Sequence, residues 1–160
     1  MGRDRGGAGG GSSEVFGRLL GDLEASVAAA CDRQDEWPRR VAAGIYAGVE
    51  YAIEHPSVVD ALSVLENVEM ASLSGYTVTI ERLAALISRD APVGSRLPGS
   101  TDEALVAGIV GLVGDHVRVG RLAALEALRP DLVLLALLPY LGFAAAQDWA
   151  NRLAANEDLV

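Results

Sequence analysis

The side chains that could perform chemistry in this chain are few and far apart. Cys31 is the only cysteine, and His55 and His116 are the only histidines. Thiolates and imidazoles are common nucleophiles and metal ligands in proteins. These three residues fall in three different predicted helices without the close spacing of a ligand motif, so the sequence predicts no metal centre. A single cysteine cannot form an intramolecular disulfide, which favours a reducing, cytoplasmic location.

Motifs typical of enzymes are also missing from the sequence. The Gly-rich run "GGAGGGSS" at residues 6–13 lacks the Gly-Lys-Ser/Thr ending and the preceding strand of a phosphate-binding loop. The nucleophile motif Gly-x-Ser-x-Gly does not occur. We therefore expect a protein that is not an enzyme and that holds no cofactor.

The composition favours helices and disfavours binding to nucleic acid. Hydrophobic residues make up 51% of the 160 residues and aromatic residues only 5%, the excess being Ala, Leu and Val. Ala and Leu lose little free energy on entering a helix, whereas aromatic strand formers are scarce. The net charge of −9 makes the chain a poor ligand for DNA, because such affinity rests on basic side chains that displace counterions from phosphates. We expect no direct DNA binding by this chain alone.

Hydrophobic periodicity divides the chain into a tail and a helical domain. Residues 1–13 are Gly-rich and predict a disordered tail, with no apolar run of the signal-peptide kind. Residues 14–160 predict an all-α bundle of six to seven helices. The predicted helices cover about 15–33, 37–53, 57 onward, 73–87, 102–119, 121–128 and 130–155, with the main loop at 89–100 and a bend at Pro139.

The segment "RPDLVLLALLPYLGFAAAQDW" at 129–149 has sixteen uncharged residues between Asp131 and Asp148. It could be a membrane span, a buried core helix or a surface that another protein covers. A span needs roughly 20 apolar residues, and Pro139 and Gly142 interrupt this run, which argues against the membrane. A helix that is apolar almost all round must be covered on every side. We expect a second copy of the chain to cover it, the alternative being a central place in its own fold.

The predicted helix at 102–119 also has more apolar surface than one buried side needs. Its apolar residues form two faces rather than one. Gly108, Gly111 and Gly114 each cost roughly 1 kcal/mol relative to Ala, which close approach of another helix can offset. We predict that this helix and the last one form the interface of a homodimer. The predicted interface residues are Val106, Val110, Val117, Leu134, Leu138, Leu141, Ala145 and Trp149.

Four segments together resemble the C-terminal regulatory domain of TetR-type transcriptional repressors. They are "WPRRVAAGIYAGVEYAIEHP" (37–56), "YTVTIERLAALI" (76–87), "TDEALVAGIVGLVGDHVRVG" (101–120) and "LRPDLVLLALLPYLG" (128–142), in this order. The resemblance implies an all-helical domain whose last two long helices pair with those of a second subunit. It also implies a pocket for a small apolar effector among the middle helices. The helix-turn-helix of such proteins would precede residue 15, where only the Gly-rich tail stands.

The implied pocket would draw on residues of the middle helices, since an apolar cavity with a few polar groups is the usual small-ligand site. Each candidate has an alternative: the apolar ones as plain core, Glu66 as a solvated helix residue, and His116 as a histidine hydrogen-bonded at the dimer seam. The predicted pocket residues are Tyr46, Val49, Glu66, Met70, Tyr76, Ile80, Ile109, Val113 and His116.

The predicted function is the effector-sensing and dimerisation domain of a TetR-type regulator. The alternative is an interaction partner or small-molecule-binding protein that pairs with a full-length regulator. The small-molecule-binding alternative shares the predicted pocket with the first interpretation, so the sequence alone does not separate these two.

Overall fold

The computed structural model describes residues 9–57, 59, 70–92 and 97–155, and all regular structure in these ranges is helical. The expectation of an all-α fold is therefore confirmed. The helices are α1 (Gly9–Asp32), α2 (Trp37–Glu54), α3 (Met70–Ser88), α4 (Gly99–Arg118), α5 (Leu122–Leu141) and α6 (Phe143–Ala155).

Helix α1 begins earlier than the sequence predicts. It starts at Gly9, so residues 9–13, which the composition assigns to a disordered tail, are helical here. Once a helix is nucleated, each added residue gains one hydrogen bond, and the packed part of α1 can extend into a Gly-rich flank. Residues 1–8 and most of the helix predicted from Ser57 onward lie outside the described residues.

Helix α5 runs through the position where two helices were predicted to meet. Pro130 and Pro139 both lie inside it, and the helix ends at Gly142. A proline removes one amide donor, but Leu125 and Leu132 on either side of Pro130 are both buried in the core, and this burial keeps α5 continuous. Gly142 has a φ of +75°, a backbone conformation that glycine adopts without a clash at Cβ.

The buried residues form two groups. The larger one, the α5 core, gathers side chains from α2, α4, α5 and α6, and its α5 members Leu132, Val133 and Leu137 are almost fully inaccessible. The smaller one, the α1–α3–α4 core, lies mainly between those three helices, with Tyr51 of α2 at its edge. Helix α2 packs against α1, α5 and α4, so it connects the two cores.

Polar contacts fix α3 against α1 and α2. The indole Nε1 of Trp37 donates to the carbonyl oxygen of Ile87 at 2.7 Å. The buried hydroxyl of Thr79 donates to a carboxylate oxygen of Glu24 at 2.7 Å, and Arg82 contacts the other oxygen of Glu24 at 2.9 Å. These contacts hold α3 in place against α1 and α2.

Helix length and hydropathy test whether residues 129–149 could span a membrane. Within the described ranges, no helix combines the length and the apolar character that crossing a membrane requires. The apolar segment is instead divided between α5 and α6.

Candidate ligand-binding cavity

A cavity of about 90 Å³ lies where α1, α2, α3 and α4 meet. Helix α1 contributes Leu23, Val27 and Cys31, which recur every four residues and so share one helix face. Helix α3 closes the opposite side with Leu83 and Ile87. Because each helix presents a buried stripe, a molecule in the cavity would contact four helices at once.

Two glycines of α2 shape the cavity wall. A Cβ at Gly44 would lie 2.8 Å from Sγ of Cys31, so this glycine permits the close approach of α1. A Cβ at Gly48 would find its nearest neighbour, Cγ2 of Val27, at 3.9 Å. The wall is therefore tight at Gly44 and open at Gly48, one helical turn away.

The inward face of α4 supplies the other large wall. Val106, Ile109, Val110 and Val113 line the cavity. The sequence placed Val106 and Val110 on a separate face from Ile109, but in the structure all four share one arc. A wide apolar arc is what a helix that packs against α3, α5 and α2 and also lines the cavity requires.

The polar groups of the cavity wall are already engaged. The hydroxyl of Tyr51 donates to the carbonyl oxygen of Leu19 at 2.8 Å, and the thiol of Cys31 donates to the carbonyl oxygen of Arg40 at 3.4 Å. Burial raises the pKa of both groups above their ordinary values, which keeps them neutral. No charged side chain is among the described residues that line the cavity.

The structure brings only part of the predicted pocket together. Val49, Ile109 and Val113 line the cavity. Ile80 is buried in the adjoining α1–α3–α4 core, and the half-buried Tyr76 packs against that core without lining the void.

Tyr46 and His116 lie away from the cavity. The Tyr46 ring sits under the guanidinium group of Arg129, 5.1 Å from its centroid. Nδ1 of His116 shares a hydrogen bond of 2.9 Å with the carbonyl oxygen of Leu112 in its own helix. Glu66 and the side chain of Met70 lie outside the described residues.

Several lining residues were missed by the sequence analysis. Val27 and Cys31 lie on the apolar face of α1, which the sequence analysis did not assign to the pocket. The spacing of Gly44 and Gly48, four residues apart on the buried face of α2, was the one signal that could have located the wall. Glycine on a buried helix face leaves space that any other residue would fill.

The residues predicted for the dimer interface fall into two environments. Val106 and Val117 are buried within the chain itself, and Val110 lines the cavity. The remaining five lie on α5 and α6 and are at least partly accessible: Leu134, Leu138, Leu141, Ala145 and Trp149.

Apolar side chains on α4, α5 and α6 are also exposed to solvent. Leu138 is 36% exposed, and Phe143, directly after the α5–α6 break, is 61% exposed. On α4, a Cβ at Gly108 or Gly111 would have no atom within 4 Å, and the neighbouring Leu112 is 43% exposed. The helix cost of these two glycines is therefore not offset by close packing inside the chain.

Comparison with known proteins gives no information about this site. No protein-family model matches the chain, and no curated protein or solved structure matches it either. Within the described part of the chain, no group of three or more His, Cys, Asp or Glu side chains is placed to hold a metal ion. The candidate site is accordingly the apolar cavity, defined by its geometry.

Proposed function

We propose that this chain is the effector-sensing and dimerisation domain of a TetR-type transcriptional regulator. The observation that carries the proposal is the apolar cavity between α1, α2, α3 and α4. Concave apolar sites of this kind are the usual places where small molecules bind. The assignment to the TetR type rests on the order of the four sequence segments given above.

Helix α4 is the element that could transmit binding. Its inward face, with Val106, Val110 and Val113, forms a cavity wall, and its outward face carries Gly108 and Gly111. A molecule that fits one position of α4 better than another shifts the population toward that position. The outward face moves with the inward one because both belong to the same rigid helix.

The proposed dimer uses the uncovered apolar surface of α5 and α6. Leu134, Leu138 and Leu141 recur at four and three residues and so form one stripe on α5. Two copies that meet along such stripes form a four-helix contact about a two-fold axis. The open glycines of α4 allow a facing helix to approach its backbone closely.

The dimer is tested with Leu138→Arg and a matched control, Val78→Arg. Leu138 and Val78 are 36% and 40% exposed on different helices, so both positions accept an arginine in the monomer. We expect wild type and Val78→Arg to sediment as dimers. Leu138→Arg should sediment as a monomer with an unchanged circular dichroism spectrum, because an unpaired charge buried at a helix seam costs several kcal/mol.

The regulatory role is tested by transcript profiles in the organism that encodes the protein. Deleting the gene should change a defined set of transcripts, and wild type or Val78→Arg should restore them while Leu138→Arg should not. A monomeric wild-type protein whose deletion leaves every transcript unchanged would contradict the proposal.

A further inference from the structure

The volume of the cavity limits what it can hold. It measures about 90 Å³. An engineered apolar cavity of roughly 150 Å³ in another protein stays dry and binds benzene or xenon. The cavity in this chain is smaller than that engineered cavity. Unless its walls move, the largest molecule that it can hold is therefore about the size of benzene.

The chemistry of the wall limits the ligand further. A buried water needs two to four polar partners, and the two polar side chains among the described lining residues, Tyr51 and Cys31, already donate to backbone carbonyls. Among these described residues, a ligand hydroxyl, amine or carboxylate would likewise find no free side-chain partner. Burying such a group without a hydrogen bond is unfavourable, whereas burying carbon is favourable.

We infer that the cavity selects a compact, uncharged hydrocarbon-like molecule no larger than a six-membered ring, and rejects molecules with a polar head or a long chain. This inference rests on the proposed function, since it names the chemical class of the effector. Selection follows from the combination of small volume and engaged polar groups, because either one alone would admit a wider range of molecules.

Gly48 offers a way to close the cavity without disturbing its walls. The added methyl of Gly48→Ala would stand 3.9 Å from Cγ2 of Val27, an ordinary contact distance, so it fills space and displaces nothing. Gly21→Ala on α1 is the matched control, because a Cβ there has no atom within 4 Å and the position is exposed. Both variants make the same Gly-to-Ala change inside a helix.

The experiment titrates the purified full chain with benzene, phenol and decanoate, and separately with xenon under pressure. Binding is followed by the methyl resonances of Val49, Ile109 and Val113. Benzene and xenon should shift these resonances in wild type and Gly21→Ala, and benzene should bind at least tenfold more weakly to Gly48→Ala. Phenol should bind wild type roughly tenfold or more weakly than benzene, because its hydroxyl finds no partner. Decanoate should leave the three residues unperturbed.

The outcomes separate this inference from the proposed function. Absence of benzene and xenon shifts in wild type, or phenol or decanoate binding as tightly as benzene at the same methyls, would overturn the ligand class. Equal benzene affinity of Gly48→Ala and wild type would also overturn it. If the protein is a dimer that controls transcription but does not show the expected titrations, the proposed function stands and the ligand class does not. If it is a monomer without transcript effects but shows the expected titrations, only the ligand class stands.

Discussion

The interior of the α5 core and the boundary between the α5 core and the α1–α3–α4 core are built from similar aliphatic residues, yet the cavity lies at the boundary, where both cores contribute lining residues. In the α5 core, Leu125 and Leu137 are 0% exposed. At the boundary, α2 presents Gly44 and Gly48 toward α1, and the side chains around them do not fill the gap at Gly48. The difference teaches that the size of the residues on the facing helix, rather than overall hydrophobicity, decides where a helical bundle leaves room for a ligand.

The largest expected effect compares one leucine from each core. Leu137→Ala should lower the free energy of unfolding by about 2–5 kcal/mol, because it leaves a new cavity in a close-packed region. Leu83→Ala should fall toward the lower end of that range, because Leu83 already borders a void and has fewer contacts to lose. Urea denaturation of both variants measures the difference. Equal losses would show that the two cores are packed alike.

The next effect compares a buried tyrosine from each region. The Tyr140 hydroxyl in the α5 core donates to the carboxylate of Asp102, which is only 8% exposed. Tyr140→Phe should cost about 1–3 kcal/mol, since it leaves that buried carboxylate without this donor. Tyr51→Phe, which removes a bond to the neutral carbonyl of Leu19, should cost about 0.5–1.5 kcal/mol. A larger loss for Tyr51→Phe in urea denaturation would reverse this ranking.

Alkaline pH should weaken the protein through the same tyrosine. Burial, together with the hydrogen bond to Asp102, raises the pKa of Tyr140 above its ordinary value. Below the unfolded pKa of about 10 both states are neutral, and the stabilisation is complete. As the pH rises above that value the unfolded chain ionises first, so the free energy of unfolding falls.

Urea denaturation between about pH 8 and pH 11 measures this slope on both sides of the unfolded tyrosine pKa. In Tyr140→Phe the free energy of unfolding should fall less steeply with pH than in wild type. Tyr51 and Tyr76 should still contribute some pH dependence, because burial also raises their pKa values. Parallel curves for the two proteins would contradict the role given to Tyr140.

The smallest effect concerns the glycines of α2. Gly48→Ala should raise the free energy of unfolding by about 1 kcal/mol from helix propensity, plus a gain from filling the void. Gly21→Ala isolates the propensity part. Gly44→Ala should instead destabilise, because its Cβ would lie 2.8 Å from Sγ of Cys31. If Gly44→Ala and Gly48→Ala shift the unfolding midpoint in the same direction, the space for a methyl group does not differ between these two positions of the cavity wall.

Much of the architecture could be predicted because it depends on local patterns. The helix predicted over 37–53 is found as Trp37–Glu54, and its Val41, Ile45 and Val49, spaced four residues apart, are all buried. Helix ends were less predictable. The sequence predicts one last helix over about 130–155, whereas the structure ends α5 at Leu141 and begins α6 at Phe143, because Gly142 with its positive φ interrupts the helix.

The candidate site was less predictable than the helices. The pocket that the resemblance implies included Ile109 and Val113, and both line the cavity. The sequence analysis assigned Val106 and Val110 to the dimer interface instead, because a helix with a wide apolar arc has no single direction that its sequence marks as inward. Tyr46 and His116 were chosen for chemical type, yet each has a partner elsewhere.

The sequence by itself determined that the chain is helical, that its net charge is −9, and which residues of each helix are apolar. Only the tertiary structure decided which apolar face meets which neighbour, where Gly48 leaves space, and which leucines stay uncovered on α5. The physical reason is that helix formation and amphipathicity depend on residues within a few turns. A cavity depends on the fit between side chains far apart in the chain, such as Val27, Leu83 and Ile109.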